Sequence, residues 1–285
     1  MTTTALPLRI GAALAALITA ALLIVAPAPA QAQARNLAIF GDSVVANPAV
    51  PEYLAEGLFA NLSSGNSSRL FSGDPSTGCS QGNNWGREAA GNLGLEPWDY
   101  SCNGTVSMSQ GPQVAAQVDR AIREGGLSPA TQRVVITHGF NDTYNNRHLG
   151  RQQFIDAFVA ANAPQINRIR AAAPNARIQI VGYPSMTAGD NICLFHIGPN
   201  IHETTPFPDL NYWQWLTQDS QIALARATGV EFLDTKAATA ENHMCAPDHK
   251  RMWAGLVDFY AGPGSMPFHV NERGHRHVGQ VIARS

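Results

Sequence analysis

No stripe of lysine and arginine runs along this chain. Its 19 basic residues are scattered among 21 acidic ones, and charged residues make up only 14% of the sequence. Without a basic face the electrostatic footprint of a nucleic-acid binder is missing, which argues against that class of partner. Beyond residue 35 no apolar segment is long enough to cross a bilayer. No CxxC pair occurs, which removes the usual spacing of a structural zinc site, so no metal is expected. Internal repeats and linker-like stretches are also missing, and one domain is expected rather than several.

What is present begins with a leader. Arg9 is the only charge before Arg35, the stretch from Ile10 to Ala26 is almost wholly apolar, and Pro27-Ala-Pro-Ala-Gln-Ala-Gln-Ala34 follows. This pattern reads as a secretory signal peptide over 1–34, cut after Ala34, with Ala30 and Ala32 as alternative sites. An uncleaved anchor is the rival reading, and the apolar run is short for a span. Residues 35–285 then suit a single exported α/β domain with a full core, secreted or held at the cell envelope as a monomer. All four cysteines, Cys79, Cys102, Cys193 and Cys245, lie in this exported part. An even count in an oxidising compartment argues for disulfides, and four cysteines allow three pairings. Cys79–Cys102 and Cys193–Cys245 are preferred, because each would staple a loop-rich stretch.

Periodicity supplies the fold class. Short stretches read as strands at Leu37–Phe40, which is apolar, at Glu96–Cys102, at the β-branched Arg133–Thr137, at Arg177–Tyr183 and at Val230–Asp234. Helices are expected at 52–61, 85–93 (capped by Gly94), 113–123, 154–172 and 210–228, with a closing helix that turns Val278 and Ile282 inward. Residues 62–81, rich in Ser, Gly and Asn, read as a long surface loop, and the region of the third cysteine as another. Strands separated by helices predict an α/β fold, a three-layer α/β/α sandwich on a mostly parallel five-stranded sheet.

Chemistry-bearing residues follow the strands. Gly41-Asp42-Ser43 ends the first one, Asn103-Gly104 the second, Gly139-Phe140-Asn141-Asp142 the third, and Phe268-His269-Val270-Asn271 with Gly274 lies in a late loop. A serine needs a base to take its proton and donors to hold the oxyanion that forms. These four blocks, in this order, resemble the SGNH (GDSL-type) hydrolase superfamily, over the whole of the chain from Leu37 to the closing helix. The resemblance implies a flavodoxin-like SGNH hydrolase fold with Ser43 as nucleophile and His269 as base. It also implies an oxyanion hole from the Ser43 and Gly104 backbone N–H groups and the Asn141 amide.

One departure matters. The family's acid, three residues before the histidine, falls at Met266, and a thioether cannot hold an imidazolium. A Ser43–His269 dyad is therefore expected, with a backbone oxygen near Ser265 or Met266 orienting the ring; Asp258 is the rival acid. The bland alternatives are specific. Ser43 is placed where a helix cap often sits, Asp42 reads as a turn residue, and Asp142 as an anchor of its own loop. His138 reads as a buried, hydrogen-bonded side chain, while His196, His202, His243 and His249 read as solvated. Trp213, Trp215 and Tyr212 read first as core and second as a wall of the substrate site. The resemblance implies a secreted serine esterase or lipase-type hydrolase acting on small-molecule, lipid or glycan esters, with no cofactor. The alternatives are an acyltransferase on envelope glycolipid or polysaccharide, and a catalytically silent binding protein of the same fold.

Overall fold

The computed structural model describes residues 1–2, 35–52, 74–76, 78–262 and 265–285. The expected signal peptide, nearly all of the 52–61 helix and most of the 62–81 loop lie outside the described residues.

Five strands form the central sheet: β1 (Asn36–Gly41), β2 (Glu96–Asp99), β3 (Thr131–Thr137), β4 (Arg177–Val181) and β5 (Glu231–Leu233). They are all parallel, in the order β2-β1-β3-β4-β5. This is the flavodoxin-like doubly wound order, and its crevice opens at the carboxyl ends of β1 and β3, where the direction of winding reverses. The helices are α1 (Ser43–Ala46), α2 (Trp85–Leu93), α3 (Val114–Glu124), α4 (Phe140–Asn145), α5 (Arg151–Ala172), α6 (Pro208–Thr228), α7 (Thr235–Ala238) and α8 (Glu272–Arg284).

Alternation along the strands divides the core into two layers. Leu37, Ile39 and Val135 pack with Trp85 of α2 and Val278 and Ile282 of α8. Ala38, Phe40, Val134 and Ile136 pack on the other face with Val118 of α3, Phe154 and Phe158 of α5 and Leu224 of α6. Because β1 is covered on both faces, all six of its residues are buried. Each fully buried Val, Leu, Ile or Phe contributes about 1.5–3 kcal/mol, so the sheet holds β1 firmly where the chemistry begins. Helix ends obey local rules: the Asn84 side chain accepts from the Gly86 and Arg87 N–H groups, and Gly94 closes α2 at φ 64°.

The region of the third cysteine is more ordered than its sequence suggests. Asn191–Ile192 pairs with Thr205–Pro206, and a separate three-stranded sheet joins Val257–Asp258, Phe195–Gly198 and Ile201–His202. Strands this short leave no periodicity to read, and Val257–Asp258 finds Phe195–His196 across about 60 residues of chain. Disulfides join Cys79 to Cys102 and Cys193 to Cys245. His196, expected in solvent, is fully buried, with Nε2 3.2 Å from the Cys193 carbonyl. Among the described residues no helix is long and apolar enough to cross a membrane.

Candidate active site

β1 ends at a glycine for a reason of space. A Cβ on Gly41 would lie 2.4 Å from the Val45 side chain and 2.7 Å from the Thr137 carbonyl, so only hydrogen fits. The chain then turns into α1, and the cap of that helix is Asp42, whose Oδ1 accepts from the Val44 N–H at 3.0 Å. With Asp42 as cap, the Ser43 hydroxyl is released from that duty. It meets His269 instead, with Oγ to Nε2 at 2.8 Å.

The other ring nitrogen fixes the tautomer. His269 Nδ1 lies 2.7 Å from the Pro267 carbonyl. A carbonyl only accepts, so Nδ1 carries the proton and the Nε2 lone pair faces the serine. The backbone oxygen that meets the ring is that of Pro267, next to the Ser265–Met266 pair near which it was expected. The Met266 carbonyl is taken by the His269 backbone N–H at 3.2 Å, and the Ser265 hydroxyl points to the Ala261 carbonyl at 3.5 Å. Asp258 is engaged elsewhere. Its carboxylate pairs with the buried Arg251 guanidinium and accepts from the Gly255 and Tyr260 N–H groups at 2.8 and 2.9 Å. Burial alone would raise the Asp258 carboxyl, but these partners hold it below the usual carboxylate range.

The histidine segment hangs on residues 252–255. The Ala254 N–H donates to the His269 carbonyl at 2.8 Å, the Asn271 N–H to Met252 at 2.9 Å, and the Phe268 N–H to Gly255 at 3.2 Å. Phe268 itself sits at φ 60°. A bulky side chain in this left-handed region costs about 1–2 kcal/mol, which the surrounding packing absorbs. Burial lowers the His269 pKa from 6.5, against the upward pull of the Pro267 hydrogen bond.

The other blocks follow β2 and β3, the strands that flank β1. Gly104 adopts φ 71°, a conformation that glycine takes at no steric cost. Asn141 follows Gly139 at the start of α4, its Nδ2 donating to the Thr105 carbonyl at 3.0 Å and its Oδ1 accepting from the Tyr144 hydroxyl at 2.7 Å. An amide nitrogen has two hydrogens, so one remains for a further acceptor. The Asp142 carboxylate reaches beyond its own loop to accept from the Ser107 N–H at 3.0 Å and the Met108 N–H at 2.9 Å. Burial raises Asp142 to about 6.

Asp42 is raised to about 7, chiefly by burial; the Tyr183 hydroxyl donates to it, and the Phe140 N–H reaches the same hydroxyl at 3.5 Å. His138 is buried, bonded to Asn162 at 2.7 Å and lowered to about 4 by desolvation. Sequence patterning pointed to none of Tyr183, Asn162 or Pro267.

A run of aromatic rings leaves this point. Tyr183, Phe140, Tyr144, Trp213 and Phe207 follow one another at centroid distances of 6.0, 6.4, 6.1 and 6.0 Å. Tyr212 and Trp215, read first as core, are about half exposed. Among the described residues no three His, Cys, Asp or Glu side chains gather as a metal site would require.

The sequence profile of the GDSL-like Lipase/Acylhydrolase family matches residues 39–277. Among solved structures the chain is similar to phospholipase A1 from Streptomyces albidoflavus NA297, at 16% identity and TM-score 0.56, over 88% of this chain and 98% of that one. It is also similar to an extracellular lipase from Streptomyces rimosus, at 15% identity and TM-score 0.51, over 87% of this chain and all of that one. A protein from Lactobacillus plantarum gives 14% identity and TM-score 0.52, over 88% and 95%. At such identities the likeness speaks for the fold alone. A comparison with curated proteins returned no match.

Proposed function

The chain belongs to the GDSL-like lipase/acylhydrolase family, and on that footing we propose that it is a secreted serine esterase cleaving carboxylic esters through an acyl-enzyme. The observation that carries this reading is the 2.8 Å contact between Ser43 Oγ and His269 Nε2, with Nδ1 held by a carbonyl. Ser43 Oγ attacks the ester carbonyl carbon while its proton passes to Nε2. The carbonyl oxygen becomes an oxyanion that takes hydrogen bonds from the Ser43 and Gly104 N–H groups and the Asn141 amide. The same proton then goes to the departing alkoxide, and the C–O bond breaks. Water, deprotonated by His269, attacks the acyl-enzyme, and the acid leaves as Ser43 is restored. Each oxyanion donor is worth about 3 kcal/mol of barrier.

A carbonyl in place of an acid has a consequence. It orients the ring but brings only a partial charge to the imidazolium, so His269 works as half of a dyad. Export through the 1–34 leader suits the two disulfides, which persist in oxidising compartments. The substrate is an ester of the acylglycerol, acylated glycolipid or acetylated polysaccharide type. The aromatic run beside Asn141 favours apolar acyl groups over charged ones.

The test is a fluorophosphonate probe with intact-mass analysis, run beside p-nitrophenyl esters of increasing chain length. Stoichiometric labelling, lost in Ser43→Ala, is expected. A folded protein that neither labels nor hydrolyses any ester in the series would falsify the esterase reading and favour a silent binding protein.

A further inference from the structure

Gln117 is fully buried on α3, and its amide faces the site side of β1. Burying an amide without partners costs several kcal/mol, so its three contacts are informative. Oε1 accepts from the Gly41 N–H at 3.1 Å, and Nε2 donates to the Gly41 carbonyl at 2.8 Å and to Thr105 Oγ1 at 2.8 Å. The Thr105 hydroxyl in turn donates to the Cys102 carbonyl at 2.6 Å. The Thr105 carbonyl receives the Asn141 amide at 3.0 Å. One side chain thus joins the residue two before Ser43 to the residue after Gly104, and through it to Asn141.

β2 stops at Asp99, while β1 continues to Gly41. The Cys102 N–H still reaches the Gly41 carbonyl at 3.0 Å, but past that point the two segments part. There the Gln117 amide bonds to both the N–H and the carbonyl of Gly41, sharing that carbonyl with Cys102. The Cys79–Cys102 disulfide anchors the same segment at Cys102, ahead of Gly104. Only an uncharged amide of this length offers one acceptor and two donors here; leucine offers none, and a glutamate is an acceptor alone once ionised.

Resting on the esterase reading, we propose that Gln117 is a positioning residue. It sets the register between the Ser43 and Gly104 N–H groups, and so the oxyanion hole, without touching substrate. Donors to an oxyanion act only when held within about 0.5 Å of their place, so loosening this bridge weakens transition-state binding more than substrate binding.

The experiment compares the wild type with Gln117→Leu, Thr105→Val and Thr105→Ser. Each is assayed for kcat and KM on p-nitrophenyl butyrate, for affinity to phenylboronic acid (which forms a tetrahedral adduct on the serine), and for thermal unfolding. Gln117→Leu should lower kcat about 10–100-fold with KM nearly constant, in proportion to its lost boronate affinity. Thr105→Val, which keeps the Gln117–Gly41 pair, should lose about 3–10-fold, and Thr105→Ser should recover most of that. Thr105→Val also keeps the test decisive if Gln117→Leu does not fold. Variants that melt earlier but keep wild-type kcat and boronate affinity overturn the proposal, leaving Gln117 a structural side chain. A wild type that does not label with fluorophosphonate removes the esterase reading itself; labelled wild type with unaffected variants removes only the role of Gln117.

Discussion

Ser43 and Asn141 follow the ends of β1 and β3, strands paired with each other from Leu37–Arg133 to Gly41–Thr137. His269 comes from outside that sheet, on a segment that borrows its hydrogen bonds from residues 252–255. The serine side is stiffened by buried side chains that bond to backbone, Gln117 and the Asp142 carboxyl among them. The histidine side is organised around a buried charge. Arg251 is almost inaccessible and holds Asp258, Asp248 and the Trp253 carbonyl at once, while the Asn271 and Arg273 side chains donate to its own carbonyl. A rigid sheet therefore places Ser43 and Asn141, and an electrostatic knot places the histidine. The two halves should fail in different ways.

The largest effect belongs to the meeting point. Ser43→Ala and His269→Ala should each lower kcat by about 10⁴–10⁶-fold, and the double variant should lose little more, since the pair acts as a unit. Steady-state kinetics on one ester, with circular dichroism as a folding control, checks this. Next comes the knot. Arg251→Met leaves Asp258 buried without its cation and should destabilise by about 3–5 kcal/mol in urea unfolding. A loss under 1 kcal/mol would erase the contrast between the halves. Asn141→Ala should act more on the reaction, lowering kcat about 10²–10³-fold while the orphaned Thr105 carbonyl and Tyr144 hydroxyl cost about 1–3 kcal/mol of stability.

Asp258→Asn sharpens the comparison further. It weakens the Arg251 pair and should reduce stability by about 1–3 kcal/mol, yet kcat of the folded enzyme should stay within about threefold. A loss as large as that of His269→Ala would instead make Asp258 a catalytic acid. The smallest effect is in pH. Burial lowers the His269 pKa, so the neutral base persists below pH 6.5. The acidic limb of kcat/KM should therefore have its midpoint below 6.5, and one well above 7.5 would indicate a carboxylate hidden beside the ring.

Much of the serine side was legible because short β-branched runs announce buried parallel strands, and the blocks at their ends stand out against them. Helix ends were equally readable where a side chain makes its own cap, as at Asn84 and Gly94. What the sequence hid was pairing at a distance. Gln117 meets Gly41 across 76 positions and Ser107 meets Asn162 across 55, and neither residue type advertises a partner. Near Ser265 and Met266, where a backbone oxygen was expected, the Met266 oxygen closes a turn onto the His269 N–H, which leaves the Pro267 carbonyl to the ring. That turn depends on the left-handed Phe268, a conformation unexpected of phenylalanine. Asp258 invited a catalytic reading only because nothing in the sequence shows that Arg251 already occupies it.

The aromatic run beside Asn141 also makes the site visible to light. Of the five tryptophans, Trp85 and Trp253 are sealed in the core, whereas Trp213 is half-buried and 6.1 Å from the Tyr144 ring, whose hydroxyl touches Asn141. An acyl group bound against that ring would change the polarity around the indole. Its emission can then be followed as a label-free signal of occupancy while turnover proceeds.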